Sequence, residues 1–157
     1  MQKITYLILL YTSFIFSQNT PEQAAFNYFF ENIVQKEYKE QKLKLKFTGN
    51  SEPSTSGLFV SIPCLNKKDN LKLLNEGFKD AASVAIDENK YNDYINKACL
   101  TGKRKKYKLS IYRYMKLEKN NLVLLSLNEK NRITKFYYFI IDENNEITDW
   151  CKTSSLH

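Results

Sequence analysis

The run Arg132–Ile141, RITKFYYFII, is the feature that most narrows the fold. Its period-two reading places Phe136, Tyr138 and Ile140 on one face and Ile133, Tyr137, Phe139 and Ile141 on the other. A strand that is apolar on both faces belongs to a sheet covered on both sides, or covered once and open to a partner on the other. Neighbouring segments supply the rest of the sheet. Tyr107 to Glu118 reads as one strand, KNN as a turn, and Leu122 to Leu127 as a second strand. After the third strand, DENN reads as a turn and Glu146 to Cys151 as a fourth strand, which completes a meander.

What covers the sheet comes earlier in the chain. In TPEQ, Thr20 is the expected N-cap, Pro21 suits the first helical position, and Gln23 stands where a capping box wants it. Phe26, Phe29, Phe30, Ile33 and Val34 follow at helical spacing, so a helix with one apolar stripe is predicted through about Tyr38. QKLKLKFT then alternates, with Leu43, Leu45 and Phe47 inward and Lys42, Lys44 and Lys46 outward. GNSEPSTSG is a loop, and LFVSIP a short strand ended by Pro63. Two short helices are predicted mid-chain. One carries Leu71, Leu74, Phe78, Ala81 and Ala85; the other carries Tyr91, Tyr94, Ile95 and Cys99 and stops at Gly102. The first helix can cover one sheet face. The middle helices cover the other, or the sheet curls into a cone with a pocket.

The fold class is therefore α+β: a capped N-terminal helix on a curled, mostly antiparallel sheet that ends in a four-strand meander. TPEQAAFNYFF and FYYFIIDENNEITDW together resemble the cystatin or NTF2-like class of folds. The resemblance implies a shape and carries no functional residue.

The compartment is read from the N-terminus. Lys3 is followed by an apolar run from Ile4 to Phe16, about the length of a signal-peptide core and too short for a membrane span. Ser17 suits the last position before a cleavage, so residues 1–17 are expected to be removed and 18–157 to form a single domain. No cysteine near the cut could take a lipid anchor, and no later run reaches the length of a span. The expectation is an exported protein, periplasmic or secreted, and its lysine- and asparagine-rich composition suits a bacterial source. In such a compartment two of Cys64, Cys99 and Cys151 are expected to pair. Cys64 with Cys99 is the preferred pairing, worth about 3–4 kcal/mol in the chain-entropy model.

Composition excludes more chemistry than it assigns. The sole histidine is His157 at the C-terminus, so a histidine-activated nucleophile and a multi-histidine metal site have no residues to build on. The cysteine spacings fit no zinc motif, and no cofactor is implied. Asp142, Asn144 and Glu146 alternate as in a calcium loop, but Ile147 stands where its glycine belongs, and a hairpin turn is expected. A net charge of +7 favours an anionic ligand or an acidic protein partner, although lysine-rich surfaces also serve solubility alone. Lys103, Arg104, Lys105, Lys106 and Lys108 form the densest basic cluster, an anion-binding candidate for which export argues against nucleic acid.

Arg113 is the odd residue. It falls among Tyr107, Leu109, Ile111, Met115 and Leu117, where an unpaired guanidinium costs several kcal/mol. It needs a carboxylate, an open pocket or a bulge. With Tyr112 and Tyr114 it is the candidate ligand-binding centre. The leading functional expectation is an exported binding or inhibitory module that uses a sheet face or pocket with a basic rim. The alternatives are a small envelope enzyme using carboxylate and tyrosine acid–base chemistry, and a polyanion-binding surface protein.

Overall fold

A computed structural model describes residues 20–38, 43, 45–53, 62–66, 70, 82–95, 107–129 and 133–156. Helix α1 opens as an α-helix over Pro21–Tyr28, passes through a π-wound stretch at Phe29–Val34, and closes with an α turn at Gln35–Glu37. Thr20 caps it, its Oγ1 accepting from the Gln23 amide at 3.2 Å. Ala25, Phe29 and Ile33 form one row and Phe26, Phe30 and Val34 the next. All six are essentially buried, so the helix presents two adjacent apolar rows to the sheet. Removing any of the three phenylalanine rings would cost about 3–5 kcal/mol.

The sheet has six strands: β1 (Leu45–Lys46), β2 (Tyr107–Ile111), β3 (Met115–Lys116), β4 (Asn121–Glu129), β5 (Ile133–Ile141) and β6 (Ile147–Leu156). Its order is β1-β2-β4-β5-β6, with β3 paired to β4 beyond the end of β2. Among these strands the β1–β2 pairing is parallel and the others are antiparallel. The α+β class and the meander are as the alternation predicts.

Both faces of the central strands are filled. Leu109, Ile111, Val123, Leu125, Leu127, Tyr137, Phe139 and Ile141 pack under α1, together with Leu45 and Phe47. The opposite parity of β4 and β5 brings Leu122, Leu124, Tyr138 and Ile140 into a second cluster with Ile62 and Leu117. Part of the cover on that face comes from a segment before the expected middle helices. The segment around Ile62–Asn66 lies on it and is fastened to β6 by a Cys64–Cys151 disulfide, with Cα atoms 5.7 Å apart. Cys64 therefore pairs across 87 residues with Cys151, and the expected Cys64–Cys99 bridge is corrected. Alternation on β6 turns Cys151 toward the second cluster, where Cys64 lies; Cys99 is outside the described residues.

Three further expectations change. Tyr107 to Glu118 is not one strand: the ladder ends at Ile111, Tyr112 bridges to Glu52, and pairing resumes at Met115. Of the second mid-chain helix, Asn89–Tyr91 form a 3-10 turn and the Ile95 amide donates to the Tyr91 carbonyl at 3.1 Å, while 96–102 lie outside the described residues; the end of the first, at Ala85, is extended chain bridged to Asn50. Tertiary hydrogen bonds take these backbones: Ile86 donates to the Gly49 carbonyl and Leu45 to the Tyr94 carbonyl, each at 2.8 Å. The run from Leu71 to Ala81 lies outside the described residues. The fourth strand is longer than read, because Lys152–Leu156 continue the ladder against Ile133–Tyr137. DENN forms the expected hairpin turn, with Asn145 at positive φ and Asp142 Oδ1 accepting from the amides of Asn144 and Glu146 at 2.9 Å each.

Candidate functional site

Arg113 lies where the chain leaves β2, in the short break before β3. There its guanidinium reaches the first turn of α1, and Nη1 donates to Glu22 Oε1 at 2.7 Å. The same oxygen accepts from the Tyr114 amide at 3.0 Å. Glu22 is fully buried and Arg113 is 17% exposed at its side chain. The Glu22 side chain thus sits both against a cation and at the positive end of the helix dipole. The expected need of Arg113 for a carboxylate is thus met from within the chain. Glu22, which the sequence reading passed over, is the sole acidic residue in the first helical turn, and that was the available signal.

The other candidates point in different directions. Tyr112 is half-buried against the second cluster, with its hydroxyl 3.4 Å from Ser126 Oγ. Tyr114 is an exposed aromatic with the Arg113 guanidinium 5.2 Å from its ring centroid. Lys108 is exposed and 3.4 Å from Glu52, which also accepts from Ser110 Oγ at 2.7 Å. Lys103, Arg104, Lys105 and Lys106 lie outside the described residues. Of the three ligand-binding candidates, Arg113 and Tyr114 lie together, and Tyr112 faces the second cluster.

Two polar networks were missed as well. Gln23 spends its side chain on the Asp87 backbone rather than on the N-cap amide: Nε2 donates to Asp87 O at 3.0 Å, and Oε1 accepts from Asp87 N at 2.8 Å. At the other end of α1, Lys135 donates to Tyr38 OH at 2.8 Å, and that hydroxyl lies 3.0 Å from Tyr137 OH. Burial, reinforced by the Tyr38 hydrogen bond, pushes the Tyr137 hydroxyl well above the ordinary tyrosine range. Burial works to lower the Lys135 ammonium, but the bond to Tyr38 and the charges around it outweigh this and its value is raised. Tyr38 and Tyr137 are buried, so the network braces the helix end against β5.

One strand edge is without a partner strand among the described residues, although the Asp149 side chain takes the Trp150 amide there at 2.8 Å. β6, ten residues long and the longest strand, ends the sheet order, and no described residue pairs along its outer side. Opposite it, β1 is shielded by a parallel bridge between Leu45 and Ile95. Open edges are usually blunted by proline, short length or outward lysine. β6 has no proline, and Lys152 is drawn back to Glu37 on α1 at 2.7 Å. Trp150 is half-buried beside Tyr28 and Phe139, and Leu156 is 82% exposed.

Among the described residues no group of acidic, histidine or cysteine side chains could hold a metal, and no helix is long and apolar enough to cross a membrane. Comparison with family models, curated proteins and solved structures gives no match.

Proposed function

We propose that this chain is an exported binding module that engages an extended protein strand along the open edge of β6. The observation that supports the reading is the combination of two apolar clusters, one on each sheet face, with one long edge along which no described residue pairs. Strand addition supplies affinity through main-chain hydrogen bonds and selectivity through alternate side chains. The Cys64–Cys151 disulfide is compatible with export, as is the charged-then-apolar start MQKITYLILLYTSFIFSQ. The alternative acid–base chemistry draws no support from Glu22, Tyr38 and Tyr137, which are buried among protein atoms.

The test is to select extended peptides on the purified, oxidised protein and map the contact by amide hydrogen exchange. Slowed exchange confined to β6 is expected. Selected peptides that protect other segments and leave β6 unchanged would overturn the reading. Intact mass of the exported protein, expected to start at Gln18 with one disulfide, checks the compartment.

A further inference from the structure

We infer that the strand bound along this edge is β6 of a second copy, forming a two-fold dimer with a continuous sheet centred on Cys151. The inference rests on the strand-addition reading and names its occupant. Two-fold pairing of edge strands is antiparallel and keeps each face on its own side, so a residue meets one of the same parity. Among such registers, two keep nine of the ten β6 residues paired. One centres on Lys152 and sets that ammonium against itself. The other centres on Cys151 and avoids any like-charge pair.

In the Cys151-centred register, Trp150 of each copy lies opposite Lys152 of the other, on the face that carries α1. Trp150 is half-buried and the Lys152 ammonium is held at Glu37, so it is the aliphatic stem of Lys152 that meets the part-exposed indole of the other copy. Asp149 lies opposite Thr153 on the other face. The chain is basic overall, yet this edge carries Lys152 paired with Glu37 and Asp149 three positions before it. Beyond about 8 Å the remaining charge is screened at physiological salt.

The register makes a specific charge prediction, because Thr153 faces Asp149 of the other copy twice per dimer. Thr153→Lys creates two cross-strand ion pairs and is expected to tighten the dimer by about tenfold; Thr153→Asp creates two repulsions and is expected to weaken it by a similar factor. Sedimentation of the full exported, oxidised protein and of both variants reads this, with near-ultraviolet circular dichroism to verify folding and hydrogen exchange of β6 on each sample. A dimer that responds in these opposite senses supports the inference. A dimer indifferent to both charges overturns it. A monomer with rapidly exchanging β6 amides also overturns it while leaving the strand-addition reading intact. A monomer whose outer β6 amides are protected by its own chain overturns both.

Discussion

The Glu22 carboxylate, wholly buried in the first turn of α1, accepts from the Arg113 guanidinium at 2.7 Å across 91 positions of sequence. The contact joins the helix start to the break between β2 and β3, where the Arg113 amide donates to the Glu52 carbonyl. Such a pair is dearer to halve than to replace: removing one member strands the other charge, whereas an apolar pair of similar volume can be neutral. Glu22→Gln is expected to destabilise the protein by about 3 kcal/mol, measured by urea unfolding. The double variant Glu22→Leu with Arg113→Met should recover most of that loss. If the double variant is as unstable as the single one, the pair is not the cause.

Gln23 binds both the carbonyl and the amide of Asp87, as a paired strand would. Gln23→Ala leaves both backbone groups without their partner and is expected to cost about 2 kcal/mol. Hydrogen exchange should quicken at Asp87 and at its neighbours in the 82–88 segment. Unchanged exchange there would mean that the clasp carries no energy.

The Cys64–Cys151 bridge closes a loop of 87 residues in sequence and holds the Ile62–Asn66 segment on the second apolar face. In the chain-entropy model a loop of that length is worth about 4–5 kcal/mol. Cys151→Ser is expected to lose stability of that order and to gain binding of an apolar dye, as Leu122, Leu124, Tyr138 and Ile140 lose their cover. Peptide mapping without reductant should recover Cys64 joined to Cys151. Cys99→Ser should leave that bridge in place.

Stability should fall on the alkaline side. Burial raises Tyr137, Tyr91, Tyr107 and Tyr138, with hydrogen bonds to Tyr38 and Glu31 reinforcing the first two. The native state keeps these protons when the unfolded chain, with tyrosines near 10, releases them. The stabilisation is complete below that value and is lost as pH rises through the raised native values. The urea midpoint should hold from pH 7 to 9 and drop by pH 11, with a shallower drop for Tyr137→Phe. At the acid end, the Lys90 hydrogen bond holds Glu31 below the usual carboxylate range, so its contribution is present above about 4.5 and lost as pH falls through the lowered native value.

Local pattern alone determined α1, its Thr20 cap, the Asp142–Asn145 turn and the two-faced character of β5, because neighbouring residues in sequence fix each of them. It also posed the question of Arg113 correctly: a guanidinium in an apolar run must find a counter-charge. Which carboxylate answers, which cysteine meets Cys64 and which strand ends the sheet were decided by the tertiary structure. Each depends on groups brought together across 87 residues or more, or on the strand order, for which one-dimensional periodicity holds no term. The same cause explains the Tyr91–Ile95 stretch: its residues have helical spacing and the Ile95 amide still reaches the Tyr91 carbonyl, but the Leu45 amide takes the Tyr94 carbonyl and Ile95 bridges to the sheet edge. Helical propensity is a weak local preference, and a hydrogen-bonded place beside an existing strand outweighs it.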